Sequence, residues 1–292
     1  MPQDAFPAGF IGLGRMGQPM ARRLLSAGYA VHVASRSPGP VEALKAEGAH
    51  AAATPALVAQ RADVVCTCLP DEAATEAVYF GLEGLLAHAR VGQGFVECST
   101  VSPGLARRIE AAARERGAWF VDAPVSGGVE RAADGTLAIM AGGEEAALRV
   151  VRQVLGAFGT VHHVGGPGQG CVVKLANQLL VGVHTAGAAE ALVLACQSGA
   201  DAGQVLEVLS GAWAASTMLE RTGPLVASGE YGSRAPVRLL AKDLALVARA
   251  AADVGVSLPL AQRTLEIFER AMAAGLGETD IASVATLLTP GR

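Results

Sequence analysis

Two rhythms of apolar and polar positions divide the chain near Gly165. Upstream, a short apolar run ending at Ile11 and the runs 30–34, 62–69, 94–97, 119–122, 137–141 and 160–164 read as strands. Residues 18–27, 40–47, 54–60, 71–80, 102–116 and 144–158 lie between them with helical signals. This alternation predicts a mostly parallel sheet with helices packed on it, any ligand sitting at the carboxyl ends of the strands. Downstream no period-two pattern appears, and 202–210, 217–226, 238–254, 259–274 and 279–288 read as helices of an all-α part. The expected domains are 1–164 and 165–292, joined by one long helix.

That helix is the most unusual stretch. After a glycine-rich hinge at 165–170, residues 171–196 are mainly Ala, Leu and Val. One continuous helix over them would be about 39 Å long at about 1.5 Å per residue. Apolar on nearly every side, it is expected to be buried. A membrane span is the alternative, but only 15 residues separate Lys174 from Glu190, and these include His184 and Thr185. A bilayer needs about 20 apolar residues, so no membrane is expected. Lys174, Asn177 and Gln178 fall at i, i+3 and i+4, on one face of the first turns. An ammonium and two amides on one stripe of an apolar helix cost too much to bury without a purpose.

Composition narrows the classes. At 292 residues each of two domains can build its own core, and a net charge of −4 argues against a nucleic-acid partner. The amino end lacks the basic and apolar regions of a signal peptide, and Cys66, Cys68, Cys98, Cys171 and Cys196 all lie in apolar segments. Reduced thiols in a cytoplasmic protein are the expectation. His32, His50, His88 and His184 are isolated and His162-His163 closes a strand, so no metal site is expected. Lysine is scarce: Lys45, Lys174 and Lys242 stand among 23 basic residues. Two of the three lie in apolar helices, a hint that an amine is required there.

The strongest motif follows the first strand. Gly12, Leu13, Gly14, Arg15, Met16 and Gly17 spell GxGxxG between a strand and a helix. The first glycine permits a tight turn, the second lets a pyrophosphate approach the backbone, and the third allows close helix–strand packing. A glycine-rich turn with no ligand is the plain alternative, but the strand–turn–helix setting favours a dinucleotide in a Rossmann-type domain. After the second strand an NAD site would carry Asp or Glu; this chain reads Ser35-Arg36-Ser37. A guanidinium and hydroxyls suit a ribose 2′-phosphate, so NADP(H) is expected over NAD(H). Ser126, Gly127 and Gly128 could form a backbone concavity for a carboxylate, although the motif alone leaves an ordinary loop open.

Together these residues resemble the β-hydroxyacid dehydrogenase family, which includes 3-hydroxyisobutyrate dehydrogenase and tartronate semialdehyde reductase. The resemblance runs from about Phe10 to Leu288, through GLGRMGQPMA at 12–21, DAPVSGG at 122–128, Gly168 to Asn177, and Lys242-Asp243. It implies that Ser126, Gly127 and Gly128 bind the substrate carboxylate, that Lys174 is the catalytic lysine, and that Asn177 orients substrate. Leu69 and Pro70, with Ser99 and Thr100, would line the nicotinamide half of the cofactor. Lys242 would lie near the cofactor, with Asp243 supporting the site. Gln178 in place of a second Asn, Ser35 in place of an acid, and the absence of an aromatic residue in GSRAPV (232–237) depart from the family pattern.

The resemblance implies reversible hydride transfer to a small semialdehyde or from a hydroxy acid, with Lys174 protonating the developing alkoxide and Ser126 and Asn177 assisting. Reduction of tartronate semialdehyde, succinic semialdehyde or glyoxylate is an alternative. So are a catalytically silent NADP-binding protein, a decarboxylating sugar-phosphate dehydrogenase, and an imine reductase. The weakly charged stretch 182–194 leads to the expectation of a homodimer or homotetramer.

Overall fold

In the computed structural model, which describes residues 6–288, the alternating first part becomes a nine-stranded sheet. The chain runs β1 (Ala8–Ile11), α1 (Gly17–Ser26), β2 (Val31–Ala34), α2 (Pro38–Ala46), β3 (His50–Ala51), α3 (Pro55–Arg61), β4 (Val64–Thr67) and α4 (Glu72–Phe80). It continues through β5 (Gly94–Glu97), α5 (Pro103–Arg114), β6 (Trp119–Asp122), β7 (Val125–Ser126), α6 (Gly128–Asp134), β8 (Leu137–Gly142), α7 (Glu145–Gly156) and β9 (Gly159–Gly165). The first six strands are parallel in the order β3-β2-β1-β4-β5-β6, the doubly wound Rossmann arrangement. β8 then runs antiparallel to β6 and β7, and β9 lies parallel to β8.

Strand alternation sends apolar side chains to two cores. Phe10, Val33, Cys66 and Val121 pack with Met20, Leu24, Val151 and Leu155 on one face. Ile11, Val65, Phe95 and Phe120 pack with Val58, Leu105 and Ile109 on the other. Helix starts follow local rules: Thr54, Asp71 and Ser102 each accept a backbone N–H in the first turn of α3, α4 and α5.

The stretch 126–128, where the motif left an ordinary loop open, joins a strand to a helix. Ser126 pairs with Ala138 as the end of β7, and α6 begins at Gly128. A two-residue strand is too short to leave a period, and the seven-residue α6 starts behind Gly127 with no side-chain cap, unlike the equally short α3 with its Thr54 cap and first-turn proline.

The chain divides into two compact units at Lys174/Leu175, ten residues beyond the division expected from the hinge. The helix α8 (Gln169–Gln197) runs unbroken through that point for 29 residues. By length and composition alone it could cross a membrane. The expectation that it is buried all round is corrected. Cys171, Leu175, Ala189 and Leu192 are buried, but Leu180 and Leu194 are 51% and 70% exposed.

The second unit holds α9 (Ala202–Ser210), α10 (Thr217–Ser228), α11 (Val237–Asp253) and α12 (Pro259–Ala273). Its core gathers Ala189, Val237, Leu240, Leu244, Phe268 and Ile281. The α-helix expected at 279–288 is a 3-10 turn over Ile281–Leu287 instead. The fully buried Asp280 explains this, because its carboxylate is committed elsewhere. It takes two bonds from Arg221, at 3.0 and 2.6 Å, and one from Ala235 N, as well as Ala282 N. The start of the segment is pinned by these bonds, and Ser283 N and Leu288 N make i→i−3 bonds at its two ends.

Candidate functional site

In the first unit the turn between β1 and α1 has the geometry a dinucleotide needs. Gly12 has φ +92°, and a Cβ there would strike the carbonyl of Cys68; a Cβ on Gly17 would strike the carbonyl of Gly12. Fold geometry therefore demands both. A Cβ on Gly14 would meet nothing of the protein, so the space beside it is open to a ligand. Leu13 is buried, Met16 packs on the core and Arg15 is exposed. Residues 12–17 thus present backbone N–H groups at the start of α1, where phosphate charge is favoured.

Beyond β2, Ser35 and Arg36 border an open depression completed by Pro38, Val41, Glu42 and Ala52. This is where an adenosine ribose would lie in a Rossmann domain. Glu42, one turn into α2 and beyond the Ser35-Arg36-Ser37 stretch, brings a carboxylate to the rim. Its carboxylate is held by Lys45 at 2.9 Å.

The strand ends carry a buried polar row that the sequence did not announce. Thr67, Glu97 and Asp122 are in register on β4, β5 and β6, and all three are fully buried. Thr67 Oγ1 donates to Glu97 Oε2 at 2.9 Å and lies 3.0 Å from the Tyr79 hydroxyl. Glu97 Oε1 accepts from Ser99 N at 2.7 Å, and Ser99 Oγ accepts from Leu69 N at 2.6 Å. The two loops expected to line a nicotinamide, Leu69-Pro70 and Ser99-Thr100, are therefore joined to each other and to the carboxylate beneath them. Burial, with Glu97 nearby, holds the Tyr79 phenol well above its usual range, so it stays a neutral hydrogen-bonding group.

Asp122 closes the row. Its Oδ1 accepts from Gly168 N at 2.7 Å and its Oδ2 from Cys171 N at 2.8 Å, tying the hinge and the first turn of α8 to the end of β6. Burial pushes this carboxyl up to about 6 against the bonds that favour its charge. Lys174, one turn further along α8, is buried at 8% exposure. Gly127 and Gly128, with φ +143° and +76°, open α6 beside Ser126. Glu130 stands in the first turn of that helix, an acid the sequence reading did not weigh.

In the second unit a polar relay crosses from α8 to α11. Asn177 Nδ2 donates to Gln178 Oε1 at 2.9 Å, and Gln178 Nε2 donates to Asp243 Oδ2 at 2.5 Å. Asp243 is buried, with Lys242 Nζ 3.1 Å from Oδ1 but outside hydrogen-bond geometry. Neighbours in a helix do not face each other, yet here the long lysine stem curls back to its neighbour's carboxylate. Gln178 and Asp243 edge a small hollow lined by Val181, Ala235, Leu239 and Ile281.

Two family models match the chain. The NAD binding domain of 6-phosphogluconate dehydrogenase covers residues 7–173, and the NAD-binding domain of NADP-dependent 3-hydroxyisobutyrate dehydrogenase covers 168–288. The chain is similar to the NAD-dependent L-serine dehydrogenase of Pseudomonas aeruginosa, 39% identical over 96% of this chain and 97% of that one. It is similar to the 3-hydroxyisobutyrate dehydrogenase of the same organism, 38% identical over 89% and 90% of the two chains. A solved structure described as Psf3 in complex with NADP+ and 2-OPP superposes with a TM-score of 0.89 at 31% identity, covering 97% of this chain and 100% of that one.

Proposed function

Because the chain belongs to the β-hydroxyacid dehydrogenase family, we propose that it transfers hydride between NADP(H) and a small carboxylate-bearing alcohol or semialdehyde. It is an NAD(P)-dependent oxidoreductase acting on CH–OH groups. The finer reading rests on one observation above all. One of only three lysines is buried near the start of α8, with Asn177 and Gln178 on the same face. An ammonium kept there against its desolvation cost calls for a chemical reason, and proton transfer supplies one.

The bound nicotinamide supplies the hydride, and the protein's residues do the rest. In reduction Lys174 Nζ gives a proton to the carbonyl oxygen as charge develops on it; in oxidation the amine takes that proton back. Lysine suits this role better than arginine, whose guanidinium does not release a proton in the working range. Ser126, Gly127 and Gly128 hold the substrate carboxylate by hydroxyl and backbone N–H. Asn177, fixed through Gln178 to Asp243, orients the substrate. The residues 12–17 hold the pyrophosphate; Leu69, Pro70, Ser99 and Thr100 line the nicotinamide, with Lys242 near the cofactor.

Ser35 and Arg36 favour the 2′-phosphate of NADP(H), whereas the L-serine dehydrogenase relative is described as NAD-dependent. The hollow beside Gln178, one turn along α8 from Lys174, is mostly apolar and carries the Asp243 carboxylate. It suits a short uncharged substituent, which favours a 3-hydroxyisobutyrate-like substrate over one with a second carboxylate, such as tartronate semialdehyde. We read α8 as the central helix of a soluble, cytoplasmic homodimer or homotetramer.

A spectrophotometric screen tests the reading. The wild-type enzyme, with each cofactor, should turn over 3-hydroxyisobutyrate or its semialdehyde faster than tartronate semialdehyde, succinic semialdehyde or glyoxylate. Turnover of none of them refutes it.

A further inference from the structure

Asp122 is a costly residue to keep. It is fully buried, it lies in register beside a second buried carboxyl, Glu97, and burial disfavours its charge. What it holds is specific. One oxygen accepts the N–H of Gly168, the other accepts the N–H of Cys171, and the Cys171 thiol bonds to the same carboxylate. The close approach is built in: a Cβ on Gly170 would strike the carbonyls of Met140 and Asp122, and one on Gly142 would meet Gly170 N at 2.5 Å. Lys174 follows Cys171 by three residues, about 4.5 Å along the helix axis.

We infer that Asp122 is a positioning residue for the reaction, its carboxylate fixing the first turn of α8 so that the Lys174 amine stays where the proton must move. This rests on the reading of Lys174 as proton donor. The chemistry requires a carboxylate. Both donors are backbone N–H groups on different residues, so both oxygens must accept. Asn, or a protonated Asp, offers one acceptor and turns a donor towards the second N–H, which breaks one of the two ties.

The charge state of Asp122 therefore sets the hold on α8. Around it stand Glu97 on β5 and the Cys171 thiol on α8 itself. Arg107 of α5 lies against Gly168, and His163 of β9 binds the Gly143 and Gly165 carbonyls. With the carboxyl titrating at about 6, the tie is complete above that pH and half undone below it. Activity should rise with pH through this range, and Asp122→Asn should behave at every pH as the wild type does in acid.

The three lysines make a direct test possible. Full-length protein labelled with 13C at lysine Cε gives three side-chain signals, that of Lys174 assigned by its loss in Lys174→Arg. Spectra and kcat are recorded from about pH 5 to 8 for wild type and Asp122→Asn. The Lys174 signal of the wild type should move with a midpoint near pH 6, the Lys45 signal should not, and kcat should rise about tenfold or more over the same range. In Asp122→Asn the Lys174 signal should rest at its acid position and kcat should stay flat and low, with NADPH affinity unchanged. A Lys174 signal blind to pH near 6 overturns the inference from the wild type alone, even if the variant fails to fold. So does a variant with wild-type kcat and the same acid limb. If the Lys174 signal moves as described while no substrate is turned over, the tie to Asp122 stands and the dehydrogenase reading is what fails.

Discussion

At the scale of single residues, the proposed preference for NADP(H) rests on the end of β2. A 2′-phosphate brings close to two negative charges to the end of β2, where Ser35 and Arg36 stand. Arg36 can give charge-assisted hydrogen bonds and a flat face to the adenine, and Ser35 and Ser37 add hydroxyls. Glu42 at the rim works against this, but its pairing with Lys45 tempers the effect. A tenfold preference needs only about 1.4 kcal/mol, within reach of one such contact. NADPH is therefore expected to exceed NADH in kcat/KM by about tenfold or more, and Ser35→Asp to move the ratio towards NADH. Equal values for the two cofactors would contradict this. A second residue-scale expectation concerns Asp280. Replacing Arg221 by Met leaves a fully buried carboxylate with only backbone donors. The full chain should lose about 3 kcal/mol in denaturant unfolding, the lower end of the cost of breaking a buried pair. A loss below about 1 kcal/mol would place that pair among those worth little, as surface pairs are.

Among elements, α8 shows most clearly what the sequence carries and what it does not. Its length and start were legible because an unbroken apolar run follows a glycine hinge. Its burial was not, because composition cannot say which side a neighbour covers. Val173, Ala176, Leu180, Gly187, Ala191 and Leu194 form an exposed stripe with steps of three, four or seven residues. That spacing and the small residues suit a second copy of the same helix. Sedimentation at micromolar concentration should give a dimer or larger, and Leu180→Glu should shift it towards monomer; a wild-type monomer would contradict the stripe's role. The strand 94–97 was readable to the residue because both faces of a central parallel strand are buried, and 119–122 because all but Trp119 of it is buried too. β3 and β7 were not, being too short for any period, and α6 was not because it opens on glycines without a capping side chain. The 3-10 turn at Ile281–Leu287 was misread as α-helix because the partners of Asp280 are 59 and 45 residues away in sequence.

For the whole molecule, the motif spacing disclosed a Rossmann unit followed by a helical one, and placed Lys174 near the junction of the two. The row Thr67, Glu97 and Asp122 stayed hidden, since register between strands decides which polar residues meet, and no local pattern records register. What ties these levels together is the claim that a buried lysine does the proton transfer in an enzyme whose cofactor is held by other residues. The most direct measurement is kcat of Lys174→Met, with NADPH affinity measured alongside by fluorescence. Loss of a general acid should lower kcat by about 10²–10⁴ while NADPH binding stays within a few-fold of wild type. Near-normal kcat with a good substrate would contradict the assignment. Collapse of NADPH binding would contradict it too, and would make Lys174 a structural residue.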